Sequence, residues 1–335
     1  MPRDWPGLSV IVPAYLEGAV IAAKLDDVTR NGYPGALELI VVAEDPETAT
    51  AAREAGARVL ETTERLGKSG AINSGMAAAT EEVVVITDAD TELAPGALTA
   101  LARWFGDSGV GAVAGEKRVR GEGQALYWRY ESWLKERESR SGTTVALVGE
   151  LIALRRSLFT PLPADVVVDD LWIGLDVLER GRRIPYEPSA VAVEAPSGSL
   201  GSEWERRTRT TAGLLDALWR RRRMLAPGTG PAATQLWGHK LLRLLFGPLA
   251  HLALLAQAVR AGRSAPLAAG FIGVHVLASA ALFRGQRGAS LTTVERAGAQ
   301  FLFLQATAVG GIVRYLRGGR PAIWPKVDRS TGAGN

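Results

Sequence analysis

EEVVVITDAD, residues 81–90, is the stretch from which the fold can be read. Val83, Val84, Val85, Ile86 and Thr87 form an apolar or β-branched run without a charge, and it stops at two carboxylates. A continuous apolar run, not an alternating one, predicts a strand buried on both faces, as in a parallel sheet. Ligands of such sheets collect beyond the carboxyl ends of the strands, where Asp88 and Asp90 fall. Residues two apart in a strand share a side, so the two carboxylates can hold one cation. Oxygen-only ligation favours a hard ion, Mg²⁺ or Mn²⁺, whose usual companion is a diphosphate. Asp-x-Asp alone also closes ordinary surface turns, so the flanking sequence has to carry the reading.

Working outward, LSVIVP (8–13) predicts a first buried strand stopped by Pro13, and 17–31 a helix ending near Gly32 and Pro34. LELIVV (37–42) predicts a second strand, followed by a short helix over about 46–55 and a third strand near 58–60. RLGKSGAINSG (65–75) is a Gly-punctuated loop running into a helix. This alternation is that of a doubly wound α/β domain. Downstream, 95–105 predicts a helix, 110–114 a strand and 145–156 a strand or strand pair. Tyr127, Trp128, Tyr130 and Trp133 fit one helical stripe, for which core packing is the expected role of most. Asp169 and Asp170 precede an amphipathic run, Leu171, Leu175 and Leu178, ended by Gly181. Acidic residues at a helix start are also ordinary caps and dipole partners.

Composition removes several alternatives. The chain has no cysteine among 335 residues, so disulfides, zinc–thiolate sites and thiol nucleophiles are absent from its chemistry. Lys68 and Ser69 lack the upstream Gly spacing of a phosphate-binding P-loop, and PAYLEG (13–18) is no dinucleotide turn. The amino-terminal residues carry no long apolar core of a signal peptide. Net charge is only +4, yet arginine crowds residues 205–223 and the last third, which points to an anionic partner. Basic runs that adjoin apolar segments, instead of interleaving with aromatics, disfavour nucleic acid.

From Leu241 the composition changes. Residues 244–259, 264–283 and 297–313 are uncharged, and their lengths lie near or at the roughly 20 residues that span a bilayer. RRRR (220–223) reads as an interfacial anchor for acidic headgroups. His239, His251 and His275, the only histidines, show no metal-ligand spacing. Three crossings would carry the basic tail, Arg314 to Arg329, away from the side of the first domain, against the positive-inside rule. The expected arrangement is therefore a first segment lying in the interface and a hairpin of the second and third, with WPKVDR (324–329) returning to the first domain.

Five elements in order resemble the family 2 glycosyltransferases: VIVPAYLEG (10–18), VVAED (41–45), RLGKSGAINSG (65–75), TDAD (87–90) and VDDLWIGLDVLERGRRIPYEPSA (168–190). The resemblance implies the nucleotide-diphospho-sugar transferase fold, GT-A, a mostly parallel sheet between helices, followed here by membrane-associated helices. It implies inverting, metal-dependent transfer from a nucleoside-diphosphate sugar, a UDP-sugar by the usual pattern. Pro13, Ala14 and Glu17 match the motif bordering the nucleoside, Asp45 the acid that contacts the base, and Lys68 the basic residue near the nucleotide. Asp88 and Asp90 match the motif that binds Mn²⁺ or Mg²⁺. Asp170 matches the general base, with Asp169 in the place of a Glu. Leu16, Gly18 and the lack of Asp-Gly-Ser after the second strand depart from the pattern and loosen the base identity. Processive relatives carry Gln-x-x-Arg-Trp where this chain reads EWERRTRTTAGLL (203–215), so Arg206 and Arg209 become candidates for the diphosphate. With HKLLR (239–243) following, the pattern resembles membrane-bound relatives that act on extracellular polysaccharide.

The expected organisation is a catalytic domain over 1–215, a basic interfacial segment over 216–243, membrane helices over 244–316 and a basic tail over 317–335. The expected setting is the inner membrane, with the catalytic domain cytoplasmic, a lipid-linked or growing glycan as acceptor and membrane lipids as partners. A polyprenyl-phosphate glycosyltransferase and a sugar-nucleotide-binding scaffold without turnover are the alternatives. Keeping Asp88, Asp90 and Asp170 together disfavours the scaffold.

Overall fold

The structure is a computed structural model that describes residues 5–62, 64–120, 125–195, 199–262 and 265–319, with the side chains of 125–127 left aside. The amino-terminal half alternates as its sequence predicts: β1 (Leu8–Ala14), α1 (Gly18–Thr29), β2 (Leu37–Ala43), α2 (Pro46–Glu54), β3 (Arg58–Glu61), α3 (Gly67–Ala78) and β4 (Val83–Thr87). β3, β2, β1 and β4 lie side by side and parallel. Both faces of this half are buried. Ile11, Ile40, Val42, Val84 and Ile86 enter one core, and Val10, Val12, Val41, Val83 and Val85 enter the other. Strand residues alternate between faces, so an unbroken apolar run is what two cores require. Gly75 lets α3 lie close on β1, since a Cβ there would stand 2.5 Å from Ile11 Cγ2.

The other half of the sheet is mixed. β5 (Thr91–Leu93), β6 (Ala112–Val119), β7 (Leu151–Arg155) and β8 (Tyr186–Glu194) complete the order β3-β2-β1-β4-β7-β6-β8-β5. β7 runs antiparallel to both β4 and β6, β5 antiparallel to β8, and β6 parallel to β8. The strand expected over 110–114 starts two residues later and runs to Val119, past Glu116 and Lys117. Of 145–156 only β7 is strand. β8 has no counterpart in the sequence reading, because Pro188 and Ser189, both exposed, interrupt its apolar pattern. α4 (Ala97–Ala102) follows β5, α5 (Ala125–Arg140) follows β6, α6 (Asp169–Glu179) precedes β8 and α7 (Leu200–Arg220) follows it.

Core packing is not the role of the α5 aromatics that are described as exposed. Tyr130 is 49% and Trp133 51% exposed, and the two rings stack 6.1 Å apart. The expected domain boundary at 215 falls inside α7. The core that begins at Ile11 continues through Leu214, Leu218, Met224 and Leu236 to Leu241. Of the four arginines 220–223, Arg220 pairs with Asp165 and Asp216, Arg221 pairs with Asp176 and Glu179, and both lie over the Trp172 ring. Arg220, Arg222 and Arg223 are exposed, and of these Arg220 is held in the ion pairs just given.

α8 (Pro231–Gln235), a π-helical stretch (Leu236–Phe246) and α9 (Gly247–Ala261) form one helix of 31 residues, followed by α10 (Pro266–Gln286) and α11 (Thr293–Leu316). Among the described residues, the helices long and apolar enough to cross a membrane are 231–261 and α10, with mean hydropathies of 1.5 and 1.8, and 11% of each apolar window is buried. The expected pairing of the second and third segments is present, since a Cβ on Gly298 of α11 would stand 3.3 Å from Ala278 Cβ of α10. α11 also packs along α7: a Cβ on Gly311 would stand 2.4 Å from Thr211 Cβ, and Arg314 reaches Glu205 at 2.6 Å. His251 and His275 meet across α9 and α10 with Nε2 atoms 3.0 Å apart. Of the basic tail, Arg320, Lys326, Arg329 and WPKVDR lie outside the described residues.

Candidate active site

One edge of the sheet gathers the chemistry. β1, β2 and β4 end there because they are parallel, and β7 begins there because it is antiparallel to β4. Pro13 and Ala14 close β1 opposite Val42 and Ala43. Asp45 caps α2: its Oδ1 accepts from the Thr48 N–H at 2.9 Å and its Oδ2 from the Leu16 N–H at 2.6 Å. That second bond holds Leu16 in a left-handed conformation, φ 56°, uncommon for a residue with a branched side chain. The Glu17 N–H donates to Thr48 Oγ1 at 2.9 Å, so Asp45 and Glu17 fix the two strand-end loops against each other.

Asp88 and Asp90 lie in the turn from β4 to β5 and not in the strand itself. Ala89 between them is buried while both acids are partly exposed, and Asp90 acts on Asp88 by its charge. The turn is closed through the Asp88 carbonyl, which accepts from Thr91 Oγ1 at 2.9 Å. That closure leaves the Asp88 carboxylate for Lys68. Lys24 braces the turn from below, donating to the Thr91 carbonyl at 2.9 Å.

Lys68, at the start of α3, joins the two halves of the site. Its Nζ lies 2.8 Å from Asp88 Oδ1 and 3.7 Å from Asp169 Oδ2, and donates to the Gly149 carbonyl at 3.3 Å. Burial disfavours the ammonium, but Asp169 and Asp88 overcome this and hold Lys68 above the ordinary lysine range. Burial pushes the Asp88 carboxyl up to about 6, with Glu150 and Asp90 adding to it against the pull of Lys68. Asp169 and Asp170 form the first turn of α6, where the helix dipole favours negative charge. Burial and then Asp169 push Asp170 up to about 6, while the Leu171 N–H at 2.7 Å and the Lys240 charge work the other way.

A second charged group, missed by the sequence reading, lines the same cleft. Lys117 is buried between Glu150 and Glu194. Burial opposes its charge, but Glu150 and Glu194 raise Lys117, and Lys117 in turn holds Glu150 down to about 2. Arg206 is bound by Glu203 at 2.8 Å and lies in the field of Glu194 and Glu150. Arg209 faces Arg314, Glu205, Arg206 and Asp169; burial and then Arg314 lower it to about 10. Arg206 and Arg209 are thus part of a half-buried charge network, not a solvated basic face. The signal for Glu150 was a charged residue directly ahead of an apolar strand, LIALR, the pattern that marked Asp88 at the far end of β4.

Among the described residues no group of three or more His, Asp or Glu could hold a metal by itself. Asp88 and Asp90 offer two oxygen ligands, which suits a hard cation completed by water and by oxygens of a bound diphosphate.

The model of "Glycosyl transferase family 2" matches residues 9–160. A solved mannosyltransferase, PcManGT from Pyrobaculum calidifontis in complex with GDP-Man and Mn²⁺, superposes with a TM-score of 0.75 at 30% identity, over 94% of this chain and 88% of that one. An N-acetylglucosaminyltransferase of Rhizobium sp. (strain N33) is 27% identical over 59% of this chain and 50% of its own length. A poly-beta-1,6-N-acetyl-D-glucosamine synthase of Staphylococcus aureus is 27% identical over 47% of this chain and 41% of its own. The chain spans about half the length of the curated relatives it matches.

Proposed function

The chain belongs to glycosyltransferase family 2, and from that premise we propose that it transfers a hexosyl or N-acetylhexosaminyl residue, with inversion, from a nucleoside-diphosphate sugar to a hydroxyl of a lipid-linked or growing glycan at the inner membrane. The observation that carries this reading is Lys68, whose single ammonium touches Asp88 on the donor side and Asp169 on the acceptor side. Donor and acceptor halves therefore open into one cleft, as a direct displacement needs.

Asp88 and Asp90 are the residues that would hold Mn²⁺ or Mg²⁺, which when bound neutralises charge on the departing diphosphate. Lys68 contributes a fixed positive charge on the same side, in a half-buried setting where electrostatic stabilisation is strong. Pro13, Ala14, Glu17 and Asp45 border the nucleoside, with Asp45 fixed in place by the Leu16 and Thr48 N–H groups. Asp170 takes the proton of the acceptor hydroxyl as that oxygen attacks the anomeric carbon from the face opposite the leaving group. Asp169, paired with Lys68, stands beside Asp170 and raises its carboxyl, which makes Asp170 a better base. Arg206 and Arg209 stand on the diphosphate side of α7.

The nucleotide is uridine or guanosine diphosphate. The family pattern supports the first, and the GDP-Man complex of the 30% identical mannosyltransferase supports the second. Membrane attachment is supported by the exposed apolar helices 231–261 and α10. A donor screen tests the reading: membranes containing the protein are given UDP- and GDP-sugars, and nucleoside diphosphate release is measured. Release from one donor is the expected result, and no release from any, with acceptor lipid extract present, would refute it.

A further inference from the structure

The two oxygens of Asp170 have different surroundings. Oδ1 accepts from the Leu171 N–H at 2.7 Å, within the first turn of α6. Oδ2 lies toward Gly149, in the turn just before β7. The Gly149 carbonyl accepts from Lys68 Nζ at 3.3 Å, and a Cβ on Gly149 would stand 3.5 Å from that Nζ. The same Cβ would stand 3.8 Å from both Cβ and Oδ2 of Asp170. Gly149 therefore borders the space between Asp170 Oδ2 and the ammonium that touches Asp88.

Neither the backbone nor the packing asks for glycine here. Gly149 is not among the glycines of positive φ, so its backbone tolerates a side chain. Its Cβ would make ordinary van der Waals contacts, whereas one on Gly75, Gly213 or Gly311 would come within 2.6 Å of a neighbour. Close packing accounts for those three glycines and leaves Gly149 to be explained by what it keeps open. An acceptor hydroxyl has to stand about 2.6–3.2 Å from its base. A methyl carbon near the same oxygen would exclude the hydroxyl, or the carbon that bears it, from the side facing Lys68. That is the side of the donor, since Lys68 pairs with Asp88.

We infer that Gly149 is a specificity-determining residue of the acceptor subsite: its bare Cα face admits an alcohol between Asp170 and Lys68. In the step it serves, the alcohol oxygen bonds to the anomeric carbon, the bond from that carbon to the diphosphate breaks, and the alcohol proton goes to Asp170. Water, which carries no carbon on its oxygen, needs less of this space. The inference rests on the proposed transfer to a hydroxyl with Asp170 as the base.

The test compares Gly149→Ala with the parent as full chains in membranes. Nucleoside diphosphate release is read with the donor found in the screen, with and without acceptor lipid extract. Release that needs the extract is transfer, and release without it is hydrolysis. Gly149→Ala should lower transfer by about 10²-fold, the effect of misplacing a reacting group by about 1 Å. Hydrolysis and nucleoside diphosphate binding should stay as in the parent, and Tm should hold or rise slightly, as for Gly→Ala at a permissive backbone. Unchanged transfer overturns the inference. So does an equal loss of hydrolysis or of nucleotide binding, which would put the methyl in the way of the donor. A lower Tm, or a Gly149→Ala chain that does not fold, makes Gly149 a residue of the fold and overturns it as well. Asp170→Asn tests the premise by itself. An active Asp170→Asn enzyme removes the premise, whereas an inactive one beside a fully active Gly149→Ala refutes only the role of Gly149.

Discussion

At the scale of single residues the site is an exercise in keeping carboxylates charged where they are needed. Asp170, raised to about 6 by burial and by Asp169, has to be ionised to accept a proton. Activity expressed as kcat/KM should therefore be flat above pH 6 and fall tenfold per unit below it. Asp170→Asn should lower turnover by about 10²–10⁴ and leave nucleotide binding close to the parent, a split that calorimetry with the nucleotide and a transfer assay on one preparation will read. Loss of activity in Asp169→Asn but not in Asp170→Asn would reverse the assignment within the pair. Metal dependence separates differently. A chelator should abolish activity and Mn²⁺ or Mg²⁺ restore it, and Asp90→Asn should weaken nucleotide binding as well as turnover, because one cation serves both. Full activity in excess chelator contradicts the role given to Asp88 and Asp90. Most of these residues were legible in the sequence because their motifs are local: TDAD, GKSGAIN and VDD each sit at the end or start of one element. Lys117, Glu194 and Lys240 were not. Their meaning comes from which strand or helix lies opposite, and no local pattern encodes that.

Elements show the same division between local and long-range information. The parallel half, β3-β2-β1-β4, was readable because apolar runs buried on two faces leave a signature within each strand. The mixed half was not: β5 has three residues, β8 contains Pro188, and β6 carries Glu116 and Lys117 inward to buried partners. Lys135 and Tyr186 satisfy Glu116, so charge that reads as surface in a one-dimensional pattern is interior in the fold. Close approach is the other element-scale property that can be tested. α3 sits on β1 at Gly75, where an added Cβ would stand 2.5 Å from Ile11 Cγ2. Overpacking of this kind costs about 1–3 kcal/mol. Gly75→Ala should lower Tm by a few degrees in detergent, and adding Ile11→Ala, which removes Cγ2, should cost less in the double variant than the sum of the two single changes. A Gly75→Ala protein with unchanged Tm would mean that α3 lifts off the sheet at little cost, and the placement of Lys68 would then be less fixed than its ion pairs imply.

For the molecule as a whole the question is how two apolar helices and a third, docked one can be satisfied together. The part of the first helix beyond Arg243, 244–261, is about 27 Å long at 1.5 Å per residue, close to the thickness of a bilayer core. Phe246, Leu249, Leu252, Leu254 and Val259 are exposed on it, as are Val274, Val276, Leu277 and Phe283 on α10. So large an apolar surface is out of place in water and suits lipid. α11 is different in kind: it carries Arg314 to Glu205 and seats Gly310 and Gly311 on α7, a helix whose far end lies in the catalytic core. If 244–261 and α10 are the two crossings, the chain returns to the side on which it started, and Arg314 and Arg317 then lie with α7 on the side that the positive-inside rule assigns to the cytoplasm. The connection between the two spanning helices should then lie outside. Because the chain has no cysteine, two single substitutions decide the matter. Ala265→Cys should react with a membrane-impermeant maleimide in intact cells, and Arg317→Cys only after permeabilisation. Labelling of both in intact cells would place the start of α10 and the end of α11 on the outer face together, and α11 could not then rest on a cytoplasmic α7.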